Sequence, residues 1–283
     1  KIIKIESNFN FYGESVQDAL YKRDEHFQKS KTNQIDFSKA TNNSIKLKHE
    51  LGLNFILVPP GDFVIGGPVA FESKVKPEMK INMSVQEGFY LSETEVTQEV
   101  WQKIMHENPS NDKGTNKPVT DITWNEANEF IKKINVQYKS VFRLPTEVEW
   151  EYACRAGSNE LYYDNNLSEI AVFMGGNDLF GHQYHVKNVK TKKPNQWGIY
   201  DMLGNVYEWC ISDYTEYKEY NNTNRIISNG DNKIIRGGAY SHKSTFLIMS
   251  DRQFQEKNYK NNNLGFRLLL EIKKQESNKT ENK

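Results

Sequence analysis

The chain has 283 residues, enough for one large domain or two small ones. Lys+Arg and Asp+Glu are equal at 37 each, so no net field draws it to nucleic acid or an anionic membrane. No apolar run reaches the roughly 18 residues of a membrane-spanning helix, and two cysteines, Cys154 and Cys210, are too few for a disulfide framework or a cysteine zinc site.

Residues 1–50 form a polar extension rich in Asn, Lys and Ser, with one helix expected around Ser15–Lys29. The chain starts at Lys1 and not at Met, which suggests a removed leader or trimming, and favours an exported or cell-envelope location over the cytoplasm. Phe55–Val58 is a short apolar run closed by Pro59-Pro60-Gly61, a strand and a turn. Asp62–Gly67 follows as a second strand, so the two read as a hairpin. Phe89–Leu91 is another strand. Val96, Val100, Trp101, Ile104 and Met105 have helical spacing, and Pro109 ends that helix. Thr123 with Glu126, and Thr146 with Glu149, match capping boxes that open two more helices. Ile234–Ile235 and Phe266–Leu270 are the best late strands. The tail 273–283 lacks apolar residues and is expected to be disordered. Two to three helices with short strands and many loops imply an α+β fold.

Five segments stand in a fixed order: FYLSETEVTQEVWQKIMHENPS (Phe89–Ser110), RLPTEVEWEYACRAG (Arg143–Gly157), WGIYDMLGNVYEWC (Trp197–Cys210), RGGAY (Arg236–Tyr240) and LGFR (Leu264–Arg267). Together, from about Asn54 to Glu271, they resemble the formylglycine-generating enzyme family, the sulfatase-modifying-factor domain. The resemblance implies a C-type-lectin-like fold with little regular secondary structure, in a domain spanning 51–272.

Asp201 and Glu208 flank a glycine turn, the arrangement of oxygens that a hard cation such as calcium wants. The family's calcium ligands match Asp201, Gly204, Val206 and Glu208, so Ca2+ is the cofactor the resemblance implies. Without metal, Asp201 would cap a turn and Glu208 would pair with a buried arginine. The family's second calcium site needs an asparagine where EIAVFMG (Glu169–Gly175) has none.

The family's enzymes hold copper on two cysteines just after the RGG-aromatic segment. Here those positions hold His242 and Leu247, and no cysteine follows Cys210. No copper and no formylglycine chemistry by that mechanism are expected, because two thiolates make the soft-metal site. Cys154 and Cys210 read as small apolar residues. Asp178, His182 and His185 have the types of an iron facial triad, but the surrounding glycines suggest loop histidines. The five tryptophans read as core, and Arg143, Arg236 and Arg267 as partners of buried acids.

Ser241–Asn263 mixes polar, basic and aromatic residues between two framework motifs, the composition of a recognition surface. Its candidates are His242, Lys243, Phe246, Gln253, Phe254, Gln255, Asn258 and Tyr259. Some non-catalytic relatives, including variable proteins of diversity-generating retroelements, bind through this stretch. The favoured function is therefore a non-catalytic binding or scaffold protein, of that variable group or another, for a protein or cell-surface ligand. The alternative is an oxidoreductase of the same family with a different active site. Relatives that use iron draw its ligands from an added helical domain, which the first 50 residues do not supply. A structural role in the cell envelope is the third reading.

Overall fold

The computed structural model describes residues 16–68, 78–175, 185–217 and 228–273. Its first element, α1 (Val16–Thr41), extends well past the helix expected at Ser15–Lys29. Phe27, Ser30 and Gln34 form its buried stripe at helical spacing. Two of the three are polar, so apolar periodicity does not reveal the second half of the helix. Gln34 Nε2 donates to Leu57 O at 2.8 Å, tying α1 to the sheet.

The expected capping boxes are present. Thr123 and Glu126 open α3 (Trp124–Tyr138), and Thr146 and Glu149 open α4 (Glu147–Arg155), each with both reciprocal bonds. Between α1 and α3, Thr97 caps α2 (Gln98–Met105), which stops at His106 in the left-handed region. With the four-residue α5 (Leu167–Ile170), the described residues hold five helices, more than the two or three expected.

Five strands make one antiparallel sheet. In spatial order they are β1 (Lys46–Lys48), β2 (Asn54–Val58), β5 (Phe89–Ser92), β11 (Leu269–Glu271) and β6 (Phe142–Arg143). Lys46–Lys48, part of the polar extension in the sequence, is thus an edge of this sheet. The hairpin expected between Phe55–Val58 and Asp62–Gly67 does not form. β3 (Gly61–Gly67) pairs instead with β4 (Glu78–Val85). Pro59 and Pro60 lack the N–H donors that a tight two-strand turn would use, and the chain leaves the first sheet there.

Alternation along β2, β5 and β11 sends residues to two different cores. Ile56, Val58, Phe89, Leu91 and Leu269 join one cluster with α4 and the β3–β4 pair. Phe55, Leu57, Tyr90, Leu268 and Leu270 join the other with α2 and α3. A second sheet has the order β10 (Leu264–Gly265), β7 (Tyr207–Asp213), β8 (Asn232–Arg236) and β9 (Arg252–Glu256), with only the β10–β7 pair parallel. Four of the five tryptophans are fully buried and Trp124 is partly buried, all in or against the core.

Candidate functional site

The two faces of the second sheet have opposite chemistry, and the register shows why. Directly paired residues point to the same face. Glu208 faces Arg236, which faces Arg252, so one face carries a charged row. Leu264 faces Tyr207, Ile235 faces Gln253 and Lys233 faces Gln255, so the other face is apolar and neutral-polar apart from one buried lysine, which pairs with Asp213.

The charged face packs on α4. Arg252 donates to Glu147 through Nε at 2.7 Å and Nη2 at 2.6 Å. Arg236 pairs with Glu151 and also donates to the carbonyls of Met249, Ser250 and Asp251, which holds the approach to β9. Arg267 grips Glu208 with Nε at 2.6 Å and Nη2 at 2.7 Å, and Trp150 Nε1 donates to the same carboxylate at 2.6 Å. Arg267 also donates to the carbonyls of Ser92, Tyr200 and Asp201. Arg143 lies outside this group, between Glu149 and Glu271. The arginines thus have the ion-pairing, backbone-bracing role their motifs suggested.

The four calcium positions meet around this row. Gly204 is in the left-handed region, and a Cβ there would lie 2.2 Å from Val172 O, so only glycine makes the turn. Asp201 and Asn205 are also left-handed, as their residue types allow. Asp201 accepts the Lys190 N–H at 2.7 Å, and its carboxyl lies against that of Glu95. Burial pushes Asp201 up to about 6, with the Glu208 charge adding to the rise. Burial also raises Glu95 well above the carboxylate range, and Asp201 and Glu208 raise it further. Both oxygens of Glu208 are already engaged by Arg267 and Trp150. Among the described residues no group of three or more His, Cys, Asp or Glu is arranged to hold a metal ion. Calcium would have to pull Glu208 away from Arg267, so this donor set does not fit the ion as it stands.

The neutral face is the floor of a cleft of about 360 Å3. Leu264, Tyr207, Ile235, Gln253 and Gln255 come from the four strands. One wall begins at Gly237-Gly238, where the chain leaves β8. Gly238 is left-handed, and a Cβ there would lie 2.5 Å from Leu247 Cδ2. The following loop brings His242 edge-on to Tyr207 at 5.1 Å and to Phe246 at 5.0 Å. Tyr259, Asn261 and Asn263 complete the lining. Asn261 Nδ2 donates to Tyr259 Oη at 2.7 Å, and Asn263 Nδ2 donates to Ser241 Oγ at 3.0 Å. Burial raises the Tyr207 hydroxyl above its usual range, so it stays protonated at neutral pH. None of the lining residues is Asp, Glu, Lys or Arg.

Five of the eight candidates line this cleft: His242, Phe246, Gln253, Gln255 and Tyr259. The other three do not. Phe254 alternates to the opposite face and stacks on Tyr214 at 4.6 Å. Lys243 is exposed and precedes the 3-10 turn Ser244–Phe246, and Asn258 bonds Asn125 at the surface. Tyr207, Ile235, Asn261, Asn263 and Leu264 complete the lining and escaped the sequence reading. The signal for Gln253 over Phe254 was there as strand alternation. The Tyr207–Leu264 juxtaposition depends on a parallel pairing between distant segments.

Of the two family thiol positions, His242 forms a cleft wall while Leu247 is buried beneath it. Cys154 and Cys210 are free and buried. Burial first of all raises both thiols above their usual range, so they resist becoming thiolates. Ser241 Oγ and His242 Nδ1 are 3.3 Å apart. His185 is exposed, and Asp178 and His182 lie outside the described residues.

The fold and its cleft define a lectin-like α+β domain of the formylglycine-generating type. The chain belongs to the family of the Sulfatase-modifying factor enzyme 1-like domain, which matches residues 42–272. It is 29% identical over 218 residues to the chaperone protein LppX of Paenibacillus barcinonensis, covering 60% of this chain and 78% of that one. It is 30% identical over 146 residues to the formylglycine-generating enzyme of Mus musculus, covering 46% of this chain and only 37% of the mouse enzyme. The solved structure of Treponema denticola variable protein 1 superposes with a TM-score of 0.69 at 22% identity, covering 81% of this chain and 100% of that one.

Proposed function

We propose that this chain is a non-catalytic binding domain whose ligand, a protein or cell-surface molecule, sits in the cleft on the neutral face of the second sheet. The carrying observation is that five of the side chains singled out in 241–263 converge on one concave surface, the form ligand sites take. The two-thiolate chemistry of the family has no thiol to use there. Cys210 lies on β7 one residue out of phase with Tyr207, facing the core beneath the sheet.

The test is paired. Tyr259→Ala and His242→Ala should melt like the parent and lose capture of partners from the native source. Well-folded Tyr259→Ala, His242→Ala and Gln255→Ala variants that all keep every captured partner would place recognition elsewhere.

A further inference from the structure

The chemistry of the cleft goes beyond its location. We propose that it takes an uncharged saccharide, an inference that rests on reading this cleft as the ligand site. Three properties of the lining select that class.

The first is the missing charge. With no Asp, Glu, Lys or Arg in the lining, a phosphate, carboxylate or ammonium ligand would lose water without gaining a counter-ion, which is costly. The second is the kind of polar group present. Gln253, Gln255, Asn261 and Asn263 each carry a donor and an acceptor, as does the hydroxyl of Tyr259. A sugar hydroxyl is also both donor and acceptor, so neighbouring hydroxyls find either role among these amides.

The third is flat apolar surface beside those amides. Tyr259 is 38% exposed, and Phe246 and His242 stand edge to face in the same lining. Ring faces of this kind give area to the C–H face of a pyranose at small entropic cost. Part of this surface is fixed in advance. Asn261 holds the Tyr259 hydroxyl and Asn263 holds Ser241, so the walls need little ordering when a ligand arrives. The volume of about 360 Å3 lies at the small end of ligand sites, room for a sugar ring or two rather than a long extended peptide.

The experiment uses the full chain on a broad array of neutral glycans, then titration calorimetry with the best hit. Trigalacturonate and an uncharged hexapeptide are the comparison probes. Saturable binding of a neutral glycan is expected, weaker binding of trigalacturonate, and an affinity that changes little between low and high salt. Tyr259→Ala should weaken glycan binding about tenfold, the scale of an aromatic anchor, with unchanged melting. Phe254→Ala, on the other face, should leave the affinity unchanged. Binding that survives both Tyr259→Ala and Gln255→Ala, or an array with no neutral hit, overturns the saccharide assignment. If the hexapeptide alone binds and depends on Tyr259, the saccharide fails while the binding-domain reading stands. If no probe binds and native-source capture ignores the cleft variants, both fall.

Discussion

Replacing Glu208 by Gln tests whether the charged face of the second sheet is an ion-pair framework or a metal site. Arg267 is fully buried, and two of its nitrogens bond the Glu208 carboxylate. The amide keeps the shape but removes the counter-charge, and one of its ends now presents N–H groups toward a guanidinium. Breaking a buried pair from one side costs about 3–5 kcal/mol. Glu95 and Asp201 also act on Arg267 and are held up partly by Glu208, so they ionise more readily when its charge goes. That compensation puts the expected loss near the low end, about 3 kcal/mol. At about 2–4 °C per kcal/mol for a domain of this size, the midpoint should fall by roughly 6–12 °C. Thermal unfolding at pH 7, followed by circular dichroism with chelator and with added calcium, measures it. A fall below about 2 °C would show that Arg267 does not depend on Glu208. Neither protein should respond to chelator. A chelator-induced drop in the parent that vanishes in Glu208→Gln would show that Glu208 holds calcium in place of Arg267.

The Glu95–Asp201 pair predicts a pH dependence. Both carboxyls are raised in the folded state, Asp201 from 3.8 to about 6, so their contribution is fully present below about pH 4 and is lost as pH rises through about 6. Glu95→Gln removes one of the clashing charges and supplies an amide donor toward Asp201, so its midpoint should gain on the parent steadily from pH 5 to pH 8. A difference that stays flat over that range would refute the raised titration of this carboxyl pair. Phe254→Ala should lose about 1–3 kcal/mol of stability by urea unfolding, since it removes a half-buried ring stacked on Tyr214. Tyr259→Ala should stay within about 0.5 kcal/mol, and the reverse order would mean that Tyr259, not Phe254, is the ring packed on the domain. A sulfatase peptide with its target cysteine, incubated with the protein, copper and oxygen, should show no mass change. Conversion that requires Cys154 or Cys210 would reveal a second kind of active site.

Local chemistry made much of this fold legible. Thr123/Glu126 and Thr146/Glu149 open their helices because a capping box is written within four residues. The turn glycines and the buried arginines were visible because each motif needs that residue type. What escaped is non-local. The stripe of α1 is half polar, and its Gln34 makes sense only beside the carbonyl of Leu57. The partner of β3 begins only at Glu78, so the nearer strand β2 was the natural but wrong choice. In the cleft, composition pointed to the segment that supplies most of one side, while strand parity decided which of its residues line the cavity. It kept Gln253 and Gln255 and removed Phe254. Tyr207 entered from a segment that composition had assigned to a metal turn.

The second sheet is pinned from beneath. Arginine forks tie Glu208 of β7, Arg236 of β8 and the approach to β9 into ion pairs on one side, while on the other side Asn261 bonds Tyr259 and Asn263 bonds Ser241. The buried ion pairs and the cleft lining therefore draw on different residues of the same strands. Of the cleft positions, Tyr259 lies furthest from that framework, whereas Gln253 reaches back to the buried Asp251. The scaffold is suited to selection for new ligands, with its melting point as the invariant that marks a sound clone.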